Sequence, residues 1–384
     1  MKRFAVLTFV VLLAAIFAFA QEDIPVKVTL TLMVAGDQNM ADFFQYEIAP
    51  EFEKLYPNVK VKVVGTGPGD AGSQQIIQQL QLEKDSGKDK WAIDLVIIHE
   101  TGAVWAIEKG LIRKYTDFLT AKRLAIRNTD EIALGFDVDG YVMPMFHSQT
   151  AIAFNPRYVK NPPKSYEELV QWVKEHPGKF GYNGIKQGMS GVSFVSGWLY
   201  WQSQNPEVIM NGPYDKKYEA DWEGIFAQLK EFNKYVTITS GNAGTLDMLN
   251  RGEIWMGPVW VDMFYTWMRE GRMDPNIRIV IPAPGMPGQP MHYAIPLKAA
   301  NADYALKLIE LVSSPRMQAK YIIERFNWYP AIGDDYVAPF LDKEVLDRLY
   351  KDVKQDDLLK YGKPMPLLQY KQDMLEAYER WVEK

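Results

Sequence analysis

The residues that could do chemistry in this chain are sparse and scattered. Its four histidines, His99, His147, His176 and His292, are dispersed. They form no H-E-x-x-H pair, and no G-x-S-x-G elbow presents a serine nucleophile. Cysteine is absent, which removes disulfides, thiolate metal sites and a cysteine nucleophile. Carboxylates are plentiful, so a glycosidase acid pair stays open. A metal held by His99 and Glu100 is the minority reading there. Gly67-Pro68-Gly69-Asp70-Ala71-Gly72 spells G-x-G-x-x-G between a strand and a helix. Pro68 removes an N–H that a pyrophosphate would need, and the next strand runs into His99 rather than an acidic residue. We read a flexible loop and a helix N-terminus.

Other polar groups suit binding better than catalysis. Asp37, Gln38 and Asn39 follow a strand: a carboxylate accepts paired hydroxyl hydrogens, and the amides both donate and accept. Asp37 and Asn39 would serve equally as helix caps. Glu100 and Thr101 close another strand. Trp260 and Asp262 sit at the end of the apolar run 254–261, where a ring can stack on a ligand whose rim the carboxylate bonds. The Gly/Ser-rich stretch 188–197, with Ser193, leads into Trp198 and Trp201. Those two rings, at i and i+3, fit a cleft or the buried face of a helix.

These groups need elements to position them. The pattern predicts strands over 26–34, 59–64 and 94–98, alternating with helices over 41–55, 73–84 and 102–109. That βαβα rhythm implies a doubly wound α/β sheet, whose ligands bind beyond the carboxyl ends of the strands. Further helices are expected over 222–233, 246–252 and 304–312, a strand over 254–261, and a Pro/Gly-rich loop over 282–290. The run Met143–Phe154 is strand-like with a polar break at His147-Ser148-Gln149, which suits a segment crossing between two packed layers. Ser165 with Glu168 makes a capping box for the helix that follows.

The stretch Ile152-Ala-Phe-Asn-Pro156, followed by Asn161-Pro-Pro-Lys-Ser-Tyr-Glu-Glu-Leu169, resembles the crossover strand and helix of the family 1 extracellular solute-binding proteins, the group that includes maltose-binding protein. Asp94–Ile98 with Glu108–Ile112, Leu249–Pro258 and Ser313–Gln318 resemble further family elements in the same order. The resemblance implies two doubly wound α/β lobes with a ligand cleft between them: 21–147 and 291–332 in one, 148–290 and 333–384 in the other, crossing near 146–150 and 288–296. It implies contacts from Asp37, Gln38, Asn39, Glu100, Thr101, Ser148 and Gln149. The family's late aromatic contact has no clear match here, and Gln369 lies nearest to it. With Ser193, Trp198, Trp260 and Asp262, these are the expected ligand-binding residues; no catalytic or metal-binding residue and no cofactor is expected.

The N-terminus carries Lys2 and Arg3, 16 residues of apolar run and an Ala18-Phe19-Ala20 site. That pattern reads as a signal peptide over 1–20 that leaves Gln21 first, and without cysteine no lipid can be attached there. Net charge is −5, and −7 once Lys2 and Arg3 are removed, which disfavours nucleic acid as a partner. The expectation is a monomeric periplasmic or extracellular binder that serves the permease subunits of an ABC importer. Its ligand would be a sugar, oligosaccharide or polyol. The alternatives are a charged small molecule, such as a polyamine, thiamine or an oxyanion, or, less favoured, a secreted glycoside hydrolase.

Overall fold

The computed structural model describes residues 26–36, 38–67, 69–125 and 128–384. The expected signal peptide and Asp37 lie outside the described residues. Strand β1 (Val28–Ala35) is followed by α1 (Gln38–Asp42), a π-helical stretch Phe43–Ile48 and α2 (Ala49–Leu55). Next come β2 (Val59–Gly67), α3 (Gly69–Asp85), β3 (Leu95–His99) and α4 (Glu100–Glu108). β1 pairs parallel with both β2 and β3. Helix α3 buries Ser73, Ile76, Ile77 and Leu80 against this sheet. Both helices start earlier than their apolar spacing suggests. Gly69 through Gly72 therefore belong to α3, and Glu100 and Thr101 form the first turn of α4 rather than a loop.

The long strand β4 (Val142–Phe154) makes the crossing. Helices α5 (Tyr166–Glu175), α6 (Met189–Gln202), α7 (Trp222–Asn233) and α8 (Gly241–Arg251) follow, then β5 (Met256–Trp260), α9 (Val261–Arg269) and β6 (Arg278–Val280). At the start of α5, Ser165 accepts from the Glu168 N–H at 3.2 Å, while Glu168 reaches one residue further out, to the Lys164 N–H at 2.8 Å. Gly252 adopts φ 73° and ends α8, as its sequence position anticipates. The return crossing is β7 (Met286–Pro296), followed by α10 (Ala302–Val312), β8 (Tyr329–Pro330), β9 (Gly362–Lys363) and α11 (Leu368–Tyr378).

The sheet order β5–β4–β7–β3–β1–β2 joins both halves of the molecule. It is mixed, because β7 runs antiparallel to both β3 and β4. Strand β4 changes partner at the polar break: Gln149 faces Gly288 of β7, and Thr150 faces Trp260 of β5. Residues 286–290 were expected in a loop, yet they lie in β7, where Pro287 and Pro290 pair with Lys363 and His147. Tertiary pairing there overrides the turn preference of proline. The result is an α/β fold of two lobes joined by long crossing strands.

Candidate functional site

β1, β2 and β3 all end at one edge. The Gly36 N–H donates to Gly67 O at 2.8 Å and ties the first two ends together. Gly102 brings α3 and α4 into close contact: a Cβ there would sit 2.8 Å from Ser73 Cβ. The first turns of both helices are therefore neighbours, and they present Asp70, Glu100 and Thr101 side by side. Ser73 Oγ lies 3.1 Å from His99 Nδ1 and accepts from the His99 N–H at 3.0 Å.

Facing them from α11 is Lys371, whose side chain is 6% exposed. Its ammonium donates to Asp70 Oδ2 at 3.0 Å and to Thr101 Oγ1 at 3.4 Å. α11 packs against α7, and α7 against α6 and its aromatic core, so this ion pair joins the α3 side of the molecule to the α7 side. Burial works to raise the Asp70 pKa, but the charge and hydrogen bond of Lys371 outweigh it and hold Asp70 below the usual carboxylate range. Glu100 is 6% exposed and its Oε2 has no partner. Burial pushes its carboxyl up to about 8, against the opposing pull of Lys371. The same burial holds the His99 imidazole down to about 4, neutral at pH 7.

A second polar group lies at the hinge. Ser148 Oγ donates to Asp262 Oδ1 at 2.7 Å, and the Trp328 side chain also hydrogen-bonds this carboxylate. Burial lifts Asp262 to about 6. The Trp328 ring stacks on Phe146 with centroids 3.8 Å apart. Trp260 is buried, 8% exposed, but stands outside the contiguous cluster of buried apolar side chains. His99, Met291 and Phe146 form one row across β3, β7 and β4. That row spans two strand spacings, roughly 10 Å.

The elements thus bring Glu100 and Thr101 to one end, and Ser148, Trp260 and Asp262 to the other. Gln38 and Asn39 are exposed, and Gln38 Nε2 donates to Asp42 Oδ1 at 2.8 Å. Gln149 lies under the hinge, donating to Thr150 O at 2.9 Å and Met286 O at 2.7 Å, with its Oε1 unpartnered. Ser193 does not join either group: its hydroxyl donates to Pro287 O at 2.9 Å and bonds Thr150, fixing α6 to the crossing strand. Trp198 is placed in the core, 2% exposed, with its indole N–H on Ile225 O at 3.3 Å and its ring against Phe232 and Tyr166. Gln369 is half-buried on α11, two residues before Lys371. Sequence reasoning missed Asp70, Lys371 and Trp328. The glycine-rich stretch contained Asp70, and Gln369 lies two residues before Lys371.

Among the described residues no group of three or more His, Asp or Glu is placed to hold a metal ion. None of the described helices is long and apolar enough to cross a membrane.

The model for bacterial extracellular solute-binding proteins matches residues 47–334. The chain belongs to that family. Its members are the substrate-binding components of ABC transporters, and the chain is a binder rather than an enzyme. No curated protein sequence matches it. Among solved structures it is similar to an ABC transporter protein from Clostridium perfringens, with TM-score 0.67 at 17% identity over 92% of this chain and 99% of that one. A putative spermidine/putrescine ABC transporter protein from Listeria monocytogenes gives TM-score 0.64 at 17% identity, over 92% and 99%. Iron-bound HitA from Pseudomonas aeruginosa gives 0.63 at 17%, over 92% and 99%. At these identities the likeness speaks for the fold.

Proposed function

We propose that this protein captures a small cationic amine between its lobes and delivers it to the permease of an ABC importer. The observation that carries this is Glu100: a carboxyl 6% exposed, with a free oxygen, beside Asp70, where Lys371 is the cation at hand. Buried carboxylates call for a compensating charge, and a ligand ammonium supplies it. Asp262, desolvated at the hinge without a cationic partner among its contacts, adds to the demand. The name of the Listeria relative in fold accords with an amine ligand.

A sugar or polyol is the second reading, favoured by Trp260, which is buried but outside the contiguous apolar cluster, and by the unpartnered neutral Gln149 Oε1. Glu100, Thr101, Ser148, Trp260 and Asp262 would be the contacts in either case. The lobes in this proposal are 21–147 with 291–332, and 148–290 with 333–384. Ligand contacts from both sides would favour the closed arrangement. The protein would be exported as a monomer that begins at Gln21. A thermal-shift screen across amines, sugars, polyols and oxyanions tests the reading. Stabilisation by amines supports it, and stabilisation by sugars alone would replace it with the second reading.

A further inference from the structure

Packing fixes α11 to the α6–α7 side of the molecule. Tyr370 is fully buried there: its hydroxyl accepts from the Asp215 N–H at 2.8 Å, and its ring lies against Trp222. Ser196 of α6 donates to Met374 Sδ at 3.5 Å. The first turn of the same helix reaches the other side. Lys371 donates to Asp70 Oδ2 on α3 at 3.0 Å and to Thr101 Oγ1 on α4 at 3.4 Å. The Leu368 N–H donates to Leu134 O at 3.3 Å. Leu367 packs so closely on Gly135 that a Cβ there would lie 1.7 Å from Leu367 Cδ2. Residues Ile132–Ala133, just before that seat, pack on α4. Other hydrogen bonds across the same division sit at the hinge: Ser148 to Asp262, Asn327 Nδ2 to Thr266 Oγ1 at 3.2 Å, and Arg269 to the carbonyls of Glu324 and Arg325. Those involve α9, which follows β5 directly, and the approach to β8, which pairs with β4 at His147 and Phe146. The α11 contacts touch neither crossing strand. Hinge contacts can persist as two lobes turn, but these must part when the lobes separate.

We infer that the first turn of α11 is a clasp: the Lys371–Asp70 ion pair, seated by Leu367 and Leu368 on Leu134 and Gly135, holds the two lobes together before any ligand is bound. This rests on the lobe division and closing motion of the proposed function, and not on the identity of the ligand. The clasp is built to open. Lys371 is 6% exposed, but Asp70 is 37% exposed, so the acid already meets water and the pair parts into solvent rather than into a dry core. Once apart, the ammonium recovers the hydration it gave up, which limits how firmly the pair holds. A ligand enters only the open fraction of molecules, so the clasp slows entry in proportion to the closed fraction. Ligand bonds to both lobes then add to the same closed arrangement.

The chain has no cysteine, so two introduced ones carry spin labels at defined places. Gln74→Cys on α3 and Glu376→Cys on α11 use exposed positions on either side of the clasp. Pulsed electron resonance then reads the distance between the labels in the ligand-free mature protein. The wild type should show one short distance. Asp70→Asn and Lys371→Met should each move most of the population to a longer one. Asp70→Asn, at the more exposed partner, keeps the test valid if Lys371→Met fails to fold. Asp70→Lys is the reference for motion itself, because it sets two ammonium groups against each other. A wild type already at the long distance would overturn the inference. So would short distances in Asp70→Asn and in folded Lys371→Met while Asp70→Lys opens, and in that case the two-lobe reading survives. A short distance in all three folded variants would remove the moving lobes of the proposed function, and the clasp with them.

Discussion

At the β2–β3 end of the cleft, Asp70 has an ammonium 3.0 Å away, whereas at the hinge Asp262 has a serine hydroxyl at 2.7 Å and the side chain of Trp328. The two carboxylates respond in opposite directions. Asp70 is held below the ordinary range although burial opposes it, and Asp262 is lifted to about 6. A neutral donor satisfies the geometry of a carboxylate without compensating its charge. Glu100 stands between these cases: it shares the environment of Lys371 but keeps a free oxygen, and burial wins. Charge is therefore compensated at Asp70 and uncompensated at Glu100 and Asp262, and in the proposed function it is these last two that a ligand would use.

Four substitutions would break or sharpen that contrast. The largest effect should come from outside the cleft. Trp198→Ala should cost ~3–5 kcal/mol of stability, because the ring is packed in the aromatic core around Phe232 and Tyr166; denaturant melts check this. A small loss of stability with a large loss of affinity would move Trp198 into the site. Glu100→Gln should weaken ligand binding by about 1.5–3 kcal/mol, the worth of a charge-assisted hydrogen bond, as read by calorimetry.

The same variant carries a pH signature. The folded-state pKa of Glu100, about 8, lies above its ordinary value. The stability it contributes to the empty protein is thus full at low pH and is lost as pH rises through 8. His99 and His292, both held down to about 4, change their contribution only below their ordinary pKa of 6.5. Asp262 is half ionised near pH 6 and mostly ionised by 6.5. Between pH 6.5 and 8, then, Glu100 dominates among these groups. Glu100 accounts for a fall of about 2 kcal/mol there. Glu219, lifted to about 7 by burial, adds a smaller fall of the same sign. Glu100→Gln should remove the larger part of the slope in melts taken across the window.

Trp260→Ala should cost roughly 1–3 kcal/mol of binding, with a smaller loss of stability than Trp198→Ala, since Trp260 stands outside the contiguous cluster of buried apolar side chains. Paired calorimetry and melting curves on the two tryptophan variants decide it, and equal losses of stability would place both rings in the core. The smallest effect should be that of Ser193→Ala, about 1 kcal/mol of stability from its buried hydrogen bonds to the crossing strand. No change in affinity is expected; a tenfold loss would return Ser193 to the ligand.

The course of the chain was legible where local pattern decides it. The polar break at His147-Ser148-Gln149 marked the place where β4 exchanges β7 for β5, and the apolar spacing of Trp222, Ile225, Phe226 and Leu229 gave α7. Local signals misled where tertiary pairing decides, as with the prolines drawn into β7. Of the two polar groups, Glu100, Ser148 and Asp262 could be singled out from their positions at strand ends and at the crossing. Lys371 could not, because its partner Asp70 lies 301 residues away and nothing local distinguishes a lysine bound for a buried pair from one in solvent. Sequence left Trp198 open between cleft and helix core, and only its neighbours Phe232 and Tyr166 place it in the core.

Proton release on binding tests the central claim most directly. If a ligand ammonium meets Glu100, whose carboxyl is mostly protonated at pH 7 because burial lifts it to about 8, the carboxyl must ionise as the cation arrives. Calorimetry of the best amine at pH 7, in buffers of different ionisation enthalpy, should report about one proton released per ligand bound, and close to none with Glu100→Gln. Tight binding of the ligand with no proton release in the wild type would contradict the account.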